Sequence, residues 1–187
     1  MTSDFICLNS YEIFLDKKYS FDIYFSKLHG VKLYFIKNDY IFPYPYSAKS
    51  PHEFLLLQMA IMGKASLALL TSIGITPSLI ISNYWFIGFV PALGKGWHFG
   101  ETFKNTVFFH ILNNFITGNE GWDKFNSSII QNNTIFQIEK DLLIDKKNKN
   151  VFNPNHWALL RSDQWRTISR SCLKDILEKS SLNHILK

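Results

Sequence analysis

Two short apolar runs, with helix-length segments between and around them, dominate the hydrophobic pattern of the chain. The first run, residues 77–82, reads PSLIIS, and the second, residues 105–114, reads NTVFFHILNN. Strands that are continuously apolar are typical of a parallel sheet that is covered on both faces. We therefore predict an α/β fold built on a doubly wound parallel sheet. In such sheets, ligands bind at the carboxyl ends of the strands.

The segment before the first run predicts one strand and one long helix. Residues 30–38 have the composition of a buried strand. Ser50, Pro51 and Glu53 have the spacing of an N-cap, a first-turn proline and a capping-box carboxylate. We expect the helix to run to about Ser72 and to end at Gly74, because glycine readily adopts the left-handed conformation that terminates helices.

The rest of the chain continues the alternation of strands and helices. Residues 83–96 predict a turn and a helix that is kinked at Pro91 and ended by the glycines at 94 and 96. Residues 118–150 are polar and irregular, and the order then resumes with a helix at 153–160, a strand at 165–169 and an amphipathic helix at 171–179. The first 29 residues show no clear period. We therefore divide the chain into a poorly defined segment, 1–29, and a domain, 30–187.

Composition narrows the class of protein. A chain of 187 residues with 47% hydrophobic and 16% aromatic content is long enough for one domain with a substantial core. Its basic residues are dispersed, which argues against a nucleic-acid partner. Lys64 interrupts the apolar helix and argues against a membrane span.

The two cysteines, Cys7 and Cys172, are far apart in the sequence and lack the spacing of a metal site. We therefore expect neither a disulfide nor a metal. The sequence has no secretory signal, which predicts a cytoplasmic protein.

Few residues carry chemistry that can be recognised without reference to a family. The glycine-rich residues 94–100 follow a helix, whereas a phosphate-binding loop lies between a strand and a helix, so we do not interpret them as a phosphate site. His110 lies inside an apolar strand, where a hydrogen-bonded core histidine is commoner than a general base. Trp85, Trp157 and Trp165 could stack on sugar rings, although core packing is the more frequent role of a lone tryptophan.

Three ordered segments resemble the starch and glycogen synthase family. They are residues 77–93 (PSLIISNYWFIGFVPAL), residues 105–121 (NTVFFHILNNFITGNEG) and residues 153–177 (NPNHWALLRSDQWRTISRSCLKDIL). Their amino-acid sequences are most similar to the synthase domain of fungal-type alpha-glucan synthases. The family consists of retaining glycosyltransferases with two Rossmann-like domains that move glucose from a nucleotide sugar to an alpha-glucan. The resemblance implies that this chain is the N-terminal, acceptor-side half of such an enzyme.

The resemblance also assigns site positions, and several of them are substituted. The acidic position of the family falls on Tyr84, so its carboxylate is lost. The catalytic histidine of the family falls on Asn113, whose amide has no titratable proton near neutral pH but can still hydrogen-bond a sugar hydroxyl. Sugar-binding positions fall on four further residues: Trp85, Asn114, Glu120 and Gly121. A Lys-x-Gly-Gly loop and the second domain, which holds most contacts to the donor nucleotide, have no counterpart in the sequence.

The resemblance implies an alpha-glucan acceptor, ADP-glucose or UDP-glucose as donor, no cofactor, and a second domain or subunit as partner. We expect the 187 residues alone to be inactive, which leaves it uncertain whether they count as an enzyme. The alternative function is a non-catalytic glucan-binding or interaction module. A gene fragment is a third interpretation. The sequence does not distinguish the donor nucleotide or the glucan linkage.

Overall fold

The computed structural model describes residues 6–14, 18–42, 52–96, 99–113 and 154–179, which form two three-stranded sheets and four α-helices. The strands are β1 (Ile6–Phe14), β2 (Lys18–Leu28), β3 (Val31–Lys37), β4 (Leu79–Asn83), β5 (Val107–Leu112) and β6 (Gln164–Thr167). The helices are α1 (His52–Ser72), α2 (Phe89–Gly94), α3 (Pro154–Arg161) and α4 (Arg170–Lys179), and Trp85–Ile87 forms a 3-10 helix. Strands β4, β5 and β6 pair in parallel, in that order, which confirms the predicted α/β class.

An antiparallel sheet of β1, β2 and β3 precedes the parallel one, and it was not predicted. His29 and Gly30 connect β2 to β3 with positive φ angles of 48° and 84°, the pattern of a type I′ hairpin turn. The predicted boundary between residues 29 and 30 falls in this turn. Along β2, the side chains of Tyr19, Phe21 and Ile23 are buried and alternate with more exposed positions.

Strand β3 corrects the prediction of a buried strand at residues 30–38. It pairs with β2 and, within the described residues, forms the edge of the antiparallel sheet. Val31 and Phe35 are 60% and 43% exposed, whereas Ile36 packs against the core. The continuous apolar run therefore belongs to an edge strand with one covered face, and not to the parallel sheet.

Helix α1 ends as predicted. Its last residue is Ser72, and Gly74 has a φ of 70°, the left-handed conformation expected of a terminating glycine. The N–H of Ile75 then donates to the carbonyl of Leu70 at 2.9 Å, which closes the last turn. The predicted cap and first-turn proline, Ser50 and Pro51, lie outside the described residues. No helix in the described part of the chain is long and apolar enough to cross a membrane.

Helix α1 joins the two sheets through the main hydrophobic core. Tyr19 and Phe21 of β2 and Phe108 of β5 belong to the same buried cluster as the inward side chains of α1. Gly63 brings the backbone of α1 close to α2, because a Cβ at this position would lie 3.2 Å from the Cβ of Phe89. Phe89 in turn meets Trp157 of α3 edge to face, with 5.2 Å between ring centroids. Trp157 is therefore a core residue.

The two faces of the parallel sheet differ sharply. The inner face packs against α2 and α3, and it carries four buried side chains: Ser82, Phe108, His110 and Leu112. The outer face exposes 48% of Leu79, 56% of Ile81 and 41% of Val107. The sequence predicted a sheet covered on both faces, whereas the described helices cover the inner one.

Helix α2 also differs from its prediction. It begins at Phe89, after the 3-10 helix, so Pro91 lies in its first turn and not at an internal kink. The first four N–H groups of a helix have no intrahelical acceptor, so a proline there sacrifices no hydrogen bond. Pro91 is therefore compatible with a regular helix start.

Gly94 is required for space and not for backbone freedom. It ends α2 without a positive φ, and its α-carbon lies against the buried ring of Phe108. A Cβ at this position would lie 2.1 Å from Cζ of that ring, well inside van der Waals contact. The glycine thus lets β5 approach the end of α2.

Asp163 fixes the beginning of β5 to the beginning of β6. Its backbone N–H donates to the carbonyl of Phe108 at 2.9 Å, and its Oδ2 accepts the N–H of the same residue at 2.8 Å. Its Oδ1 accepts a hydrogen bond from Nζ of Lys95, which follows α2. Burial alone would raise the pKa of Asp163, but the bonds from Lys95 and Phe108 and the lysine charge together lower it. Three elements meet at this carboxylate.

We predict that Gly94→Ala lowers the free energy of unfolding by about 2–3 kcal/mol, because the new methyl group overpacks against Phe108. Helix propensity alone would make alanine the more stabilising residue. Denaturant unfolding measures the difference, and the added substitution Phe108→Leu should recover part of the loss. The comparison variant Gly74→Ala, which has open space but a positive φ, should lose only about 1 kcal/mol. A neutral Gly94→Ala would contradict the close approach of this glycine to Phe108.

We predict that Asp163→Asn destabilises the protein by about 1 kcal/mol at pH 7, a figure reduced for the partial exposure of the carboxylate. Because the folded-state pKa is lowered, this contribution is present above the ordinary value of 3.8 and is lost as the pH falls through the folded-state pKa. The variant should therefore lose less stability than the wild type in that acidic range. Glu101→Gln is the control. Glu101 forms an exposed ion pair with Lys104, so this substitution should change the free energy of unfolding very little.

Candidate functional site

Tyr84 and Asn113 lie at neighbouring strand ends, on the edge of the sheet where ligands are expected. Tyr84 directly follows β4, and Asn113 directly follows β5. The register pairs Asn83 with Ile111, and the N–H of Tyr84 donates to the carbonyl of Ile111 at 3.0 Å. The fold therefore brings together two candidate positions that are 29 residues apart in the chain.

Tyr84 has a strained backbone. Its φ is 84°, a left-handed value that costs a residue with a Cβ about 1–2 kcal/mol. The surrounding contacts hold this conformation, since its side chain is partly buried against the main core. Strain of this kind is often found at functional sites. The sequence gives no signal for it, because nothing in the local pattern requires a positive φ at a tyrosine.

Asn113 is half-buried at the end of β5. Its Oδ1 is buried and has no hydrogen-bond partner among the described residues. The Sγ of Cys172 lies 3.7 Å from the carbonyl oxygen of Asn113 and 3.9 Å from that of Leu112. Burial, together with the charge of Asp175, raises the pKa of Cys172, which keeps it a neutral thiol and a weak donor.

Of the remaining predicted site residues, Trp85 alone falls in the described part of the chain. It begins the 3-10 helix immediately after Tyr84, so its backbone is at the same strand end. Asn114, Glu120 and Gly121 lie outside the described residues. Their assignment to a sugar site remains a prediction.

A buried polar pair lies directly beneath the strand ends. The register places Ser82 beside His110, and Oγ of Ser82 is 2.7 Å from Nδ1 of His110. Both side chains are buried on the inner face, and Nε2 of His110 has no hydrogen-bond partner in the described part of the chain. The prediction that His110 is a core residue is therefore correct, but only one of its ring nitrogens is satisfied.

Burial lowers the pKa of His110 from 6.5 to about 4. The residue is consequently neutral in the folded protein near pH 7, and one of its nitrogens can donate while the other accepts. An unsatisfied buried polar group costs about 1–3 kcal/mol, so the pair is not what core packing alone would select. Ser82 was missed in the sequence, because its pairing with His110 depends on the register between β4 and β5.

Helix α4 approaches the same edge of the sheet. Ser169 caps it, with Oγ accepting the N–H of Cys172 at 3.1 Å. Ile176 of the same helix packs with Leu112 and Leu159 in a second, smaller hydrophobic cluster. This packing brings Cys172 against the end of β5, a contact that no local sequence pattern predicts.

The glycine-rich loop after α2 uses its described N–H groups internally. The N–H groups of Gly96, Phe99 and Gly100 donate to backbone carbonyls within the loop and the end of α2. These three N–H groups are therefore already bonded and not available to a phosphate. The described residues also contain no group of three or more His, Cys, Asp or Glu side chains that could hold a metal ion.

The geometry at the strand ends suits binding better than proton transfer. Tyr84 and Asn113 place a phenol and an amide at these positions, and both groups can hydrogen-bond hydroxyl groups. His110 has a suitable imidazole, yet its side chain lies on the buried face below the strand ends.

Comparisons with known proteins show the family and the fold. Residues 3–187 match the family described as "Starch synthase catalytic domain". No curated protein matches the chain. Among solved structures, the catalytic domain of Starch Synthase IV from Arabidopsis thaliana, bound to ADP and acarbose, is similar with a TM-score of 0.75 and 17% sequence identity. The similarity covers 98% of this chain and 39% of that one, so this chain spans well under half of that structure.

We predict a specific dependence of stability on pH from His110. The unfolded chain binds a proton at this residue below pH 6.5, whereas the folded protein does so only below about pH 4. The free energy of unfolding should therefore fall as the pH is lowered from 6.5 to 4, by about 3 kcal/mol in full. Denaturant unfolding across this range measures it, and His110→Phe should flatten the slope.

His29→Asn is the matched control for that measurement. His29 is exposed in the hairpin turn, and asparagine tolerates its positive φ. The control should keep the wild-type slope. An equal slope in wild type and His110→Phe would show that His110 is not the responsible group.

Proposed function

Because the chain belongs to the starch synthase catalytic domain family, we propose that it supplies the acceptor-side half of an alpha-glucan synthase. The complete catalytic unit would transfer glucose from a nucleotide sugar to an alpha-glucan. In this proposal, the 187 residues bind the glucan and do not transfer glucose by themselves. The observation that carries it is the placement of Tyr84 and Asn113 at adjacent strand ends of a parallel sheet.

The site residues support a role in binding. Asn113 directly follows β5 and is half-buried, and we propose that its amide group hydrogen-bonds a sugar hydroxyl. We propose that Trp85 adds an aromatic face for a sugar ring and that Asn114, Glu120 and Gly121 extend the same surface. The family positions for an acid and a catalytic histidine hold Tyr84 and Asn113, so we propose that these two orient the acceptor.

The proposed donor is a nucleotide sugar, ADP-glucose or UDP-glucose. The solved Arabidopsis structure, bound to ADP and acarbose, is compatible with an adenine nucleotide and a glucan-like ligand in this fold. We propose that a second domain or subunit contributes the donor contacts, because this chain spans 39% of that structure. The proposal places the protein in the cytoplasm and residues 30–187 in the acceptor-side domain. Family membership favours this function over an unrelated glucan-binding module.

The test of this proposal is affinity electrophoresis in native gels that contain glycogen or amylopectin. We predict that the protein is retarded and that Trp85→Ala weakens the apparent affinity about tenfold, because an aromatic contact with the sugar is lost. Tyr40→Ala is the control. It removes an exposed aromatic side chain just after the antiparallel sheet, and it should leave the apparent affinity for glucan unchanged. A wild-type protein that migrates alike with and without glucan would contradict the proposal.

Transferase activity is measured separately. Incubation of the 187-residue chain with glycogen and either radiolabelled ADP-glucose or UDP-glucose should give no chain extension. Incorporation above a boiled control would show that the chain is catalytic alone and that orienting the acceptor is not the whole role of Asn113 and Tyr84.

A further inference from the structure

The hydrogen-bonded pair of Ser82 and His110 has a position that its contribution to folding does not explain. Its two side chains are 2% and 0% exposed, on a sheet face that is otherwise lined by Phe108 and Leu112. An apolar pair would fill this space without leaving Nε2 of the imidazole unsatisfied among the described residues. A buried polar pair that lowers the stability of the core is a candidate for a role in the adjacent site.

The pair is close to both strand ends in sequence and in space. Ser82 precedes Tyr84 by two residues, and His110 precedes Asn113 by three. The next register pair, Asn83 with Ile111, leads directly to the bond between the N–H of Tyr84 and the carbonyl of Ile111. The side-chain bond therefore spans β4 and β5 one step below the point where the two strands end.

A bond at this place restricts how the strands can slide past each other. Parallel strands are held by slanted backbone bonds, and a directional side-chain bond of 2.7 Å adds a second constraint on the same register. Tyr84 needs such a constraint, because its left-handed φ persists only when neighbouring contacts enforce it. Loss of the bond would let Tyr84 relax and move relative to Asn113.

We propose that the hydrogen bond between Ser82 and His110 sets the relative position of Tyr84 and Asn113 and thereby tunes the affinity of the site for alpha-glucan. His110 is then a positioning residue, which acts through β4 and β5 and does not touch the sugar. This inference rests on the proposed glucan-binding function. It adds two residues, Ser82 and His110, to which the family resemblance gave no role in the site.

The experiment is a double-mutant cycle on glucan affinity. The variants are Ser82→Ala, His110→Phe and the two combined, and they are compared at a temperature at which unfolding curves show all of them folded. We expect each single variant to bind glycogen about tenfold more weakly and the double variant to bind no more weakly than the poorer single one. Ser82→Thr keeps the hydroxyl group and should bind within about twofold of wild type.

Ile81→Thr is the matched control, since Ile81 neighbours Ser82 on β4 but is exposed on the outer face. It should bind as wild type does. Should His110→Phe fail to fold, Ser82→Ala and Ser82→Thr still separate loss of the bond from loss of the fold. Single variants that lose stability but keep wild-type affinity would overturn the proposal, because that result assigns the pair a purely structural role.

Amide hydrogen exchange provides a readout that does not depend on glucan. Breaking the pair should accelerate exchange at the N–H of Tyr84 by about tenfold relative to amides in β2, because local opening at the strand ends becomes easier. Unchanged exchange at Tyr84 would also overturn the proposal. If wild-type protein fails to bind glycogen but exchange at Tyr84 responds, then the proposed function fails while the coupling between the pair and the strand ends stands.

Discussion

The arrangement of the parallel sheet depends on how Phe108 is held at the beginning of β5. Its backbone N–H and carbonyl both bond to Asp163, and its ring lies against the α-carbon of Gly94. One residue thus fixes β5 to the start of β6 and to the end of α2. Because Lys95 bonds to the same carboxylate, the helix, the central strand and the neighbouring strand are joined at one end of the sheet.

The opposite end of the sheet is organised differently. The beginning of β5 is secured by several satisfied bonds. Towards the opposite end of the sheet, a strained tyrosine follows β4, and the end of β5 carries an amide oxygen and an imidazole nitrogen without partners among the described residues. Rigid scaffolds often hold their least favourable local geometry at the place where a ligand binds. The two ends of the same three strands therefore differ in how well their local geometry and polar groups are satisfied. This difference is independent of the family to which the chain belongs.

The sequence predicted those elements whose signals are local. The glycine that ends α1 and the two continuous apolar strands were recognisable because a single residue type or a short run specifies them. Strands β1 and β2 were missed, since the consecutive aromatics Tyr24 and Phe25 and an irregularity between Cys7 and Asn9 interrupt the alternation of a half-buried strand. The tertiary contacts of Asp163 and Gly94 could not be predicted, because their partners are distant in the chain.

The same distinction applies to the candidate site. Apolar runs located the ends of β4 and β5, and resemblance indicated which residues follow them. Neither could show that Tyr84 is left-handed or that Ser82 bonds to His110, because both facts depend on register between strands that are separated by a helix. A single sequence specifies where strands end more readily than how they align.

The exposed outer face of the parallel sheet has a consequence for the self-association of the polypeptide. Leu79 and Ile81 lie on β4, which is an edge strand within the described residues, and the segment around them is short, rich in β-formers and uncharged. Such segments template cross-β stacking when they remain uncovered. Left uncovered, the edge of β4 is therefore a predicted site of strand pairing between copies of this chain.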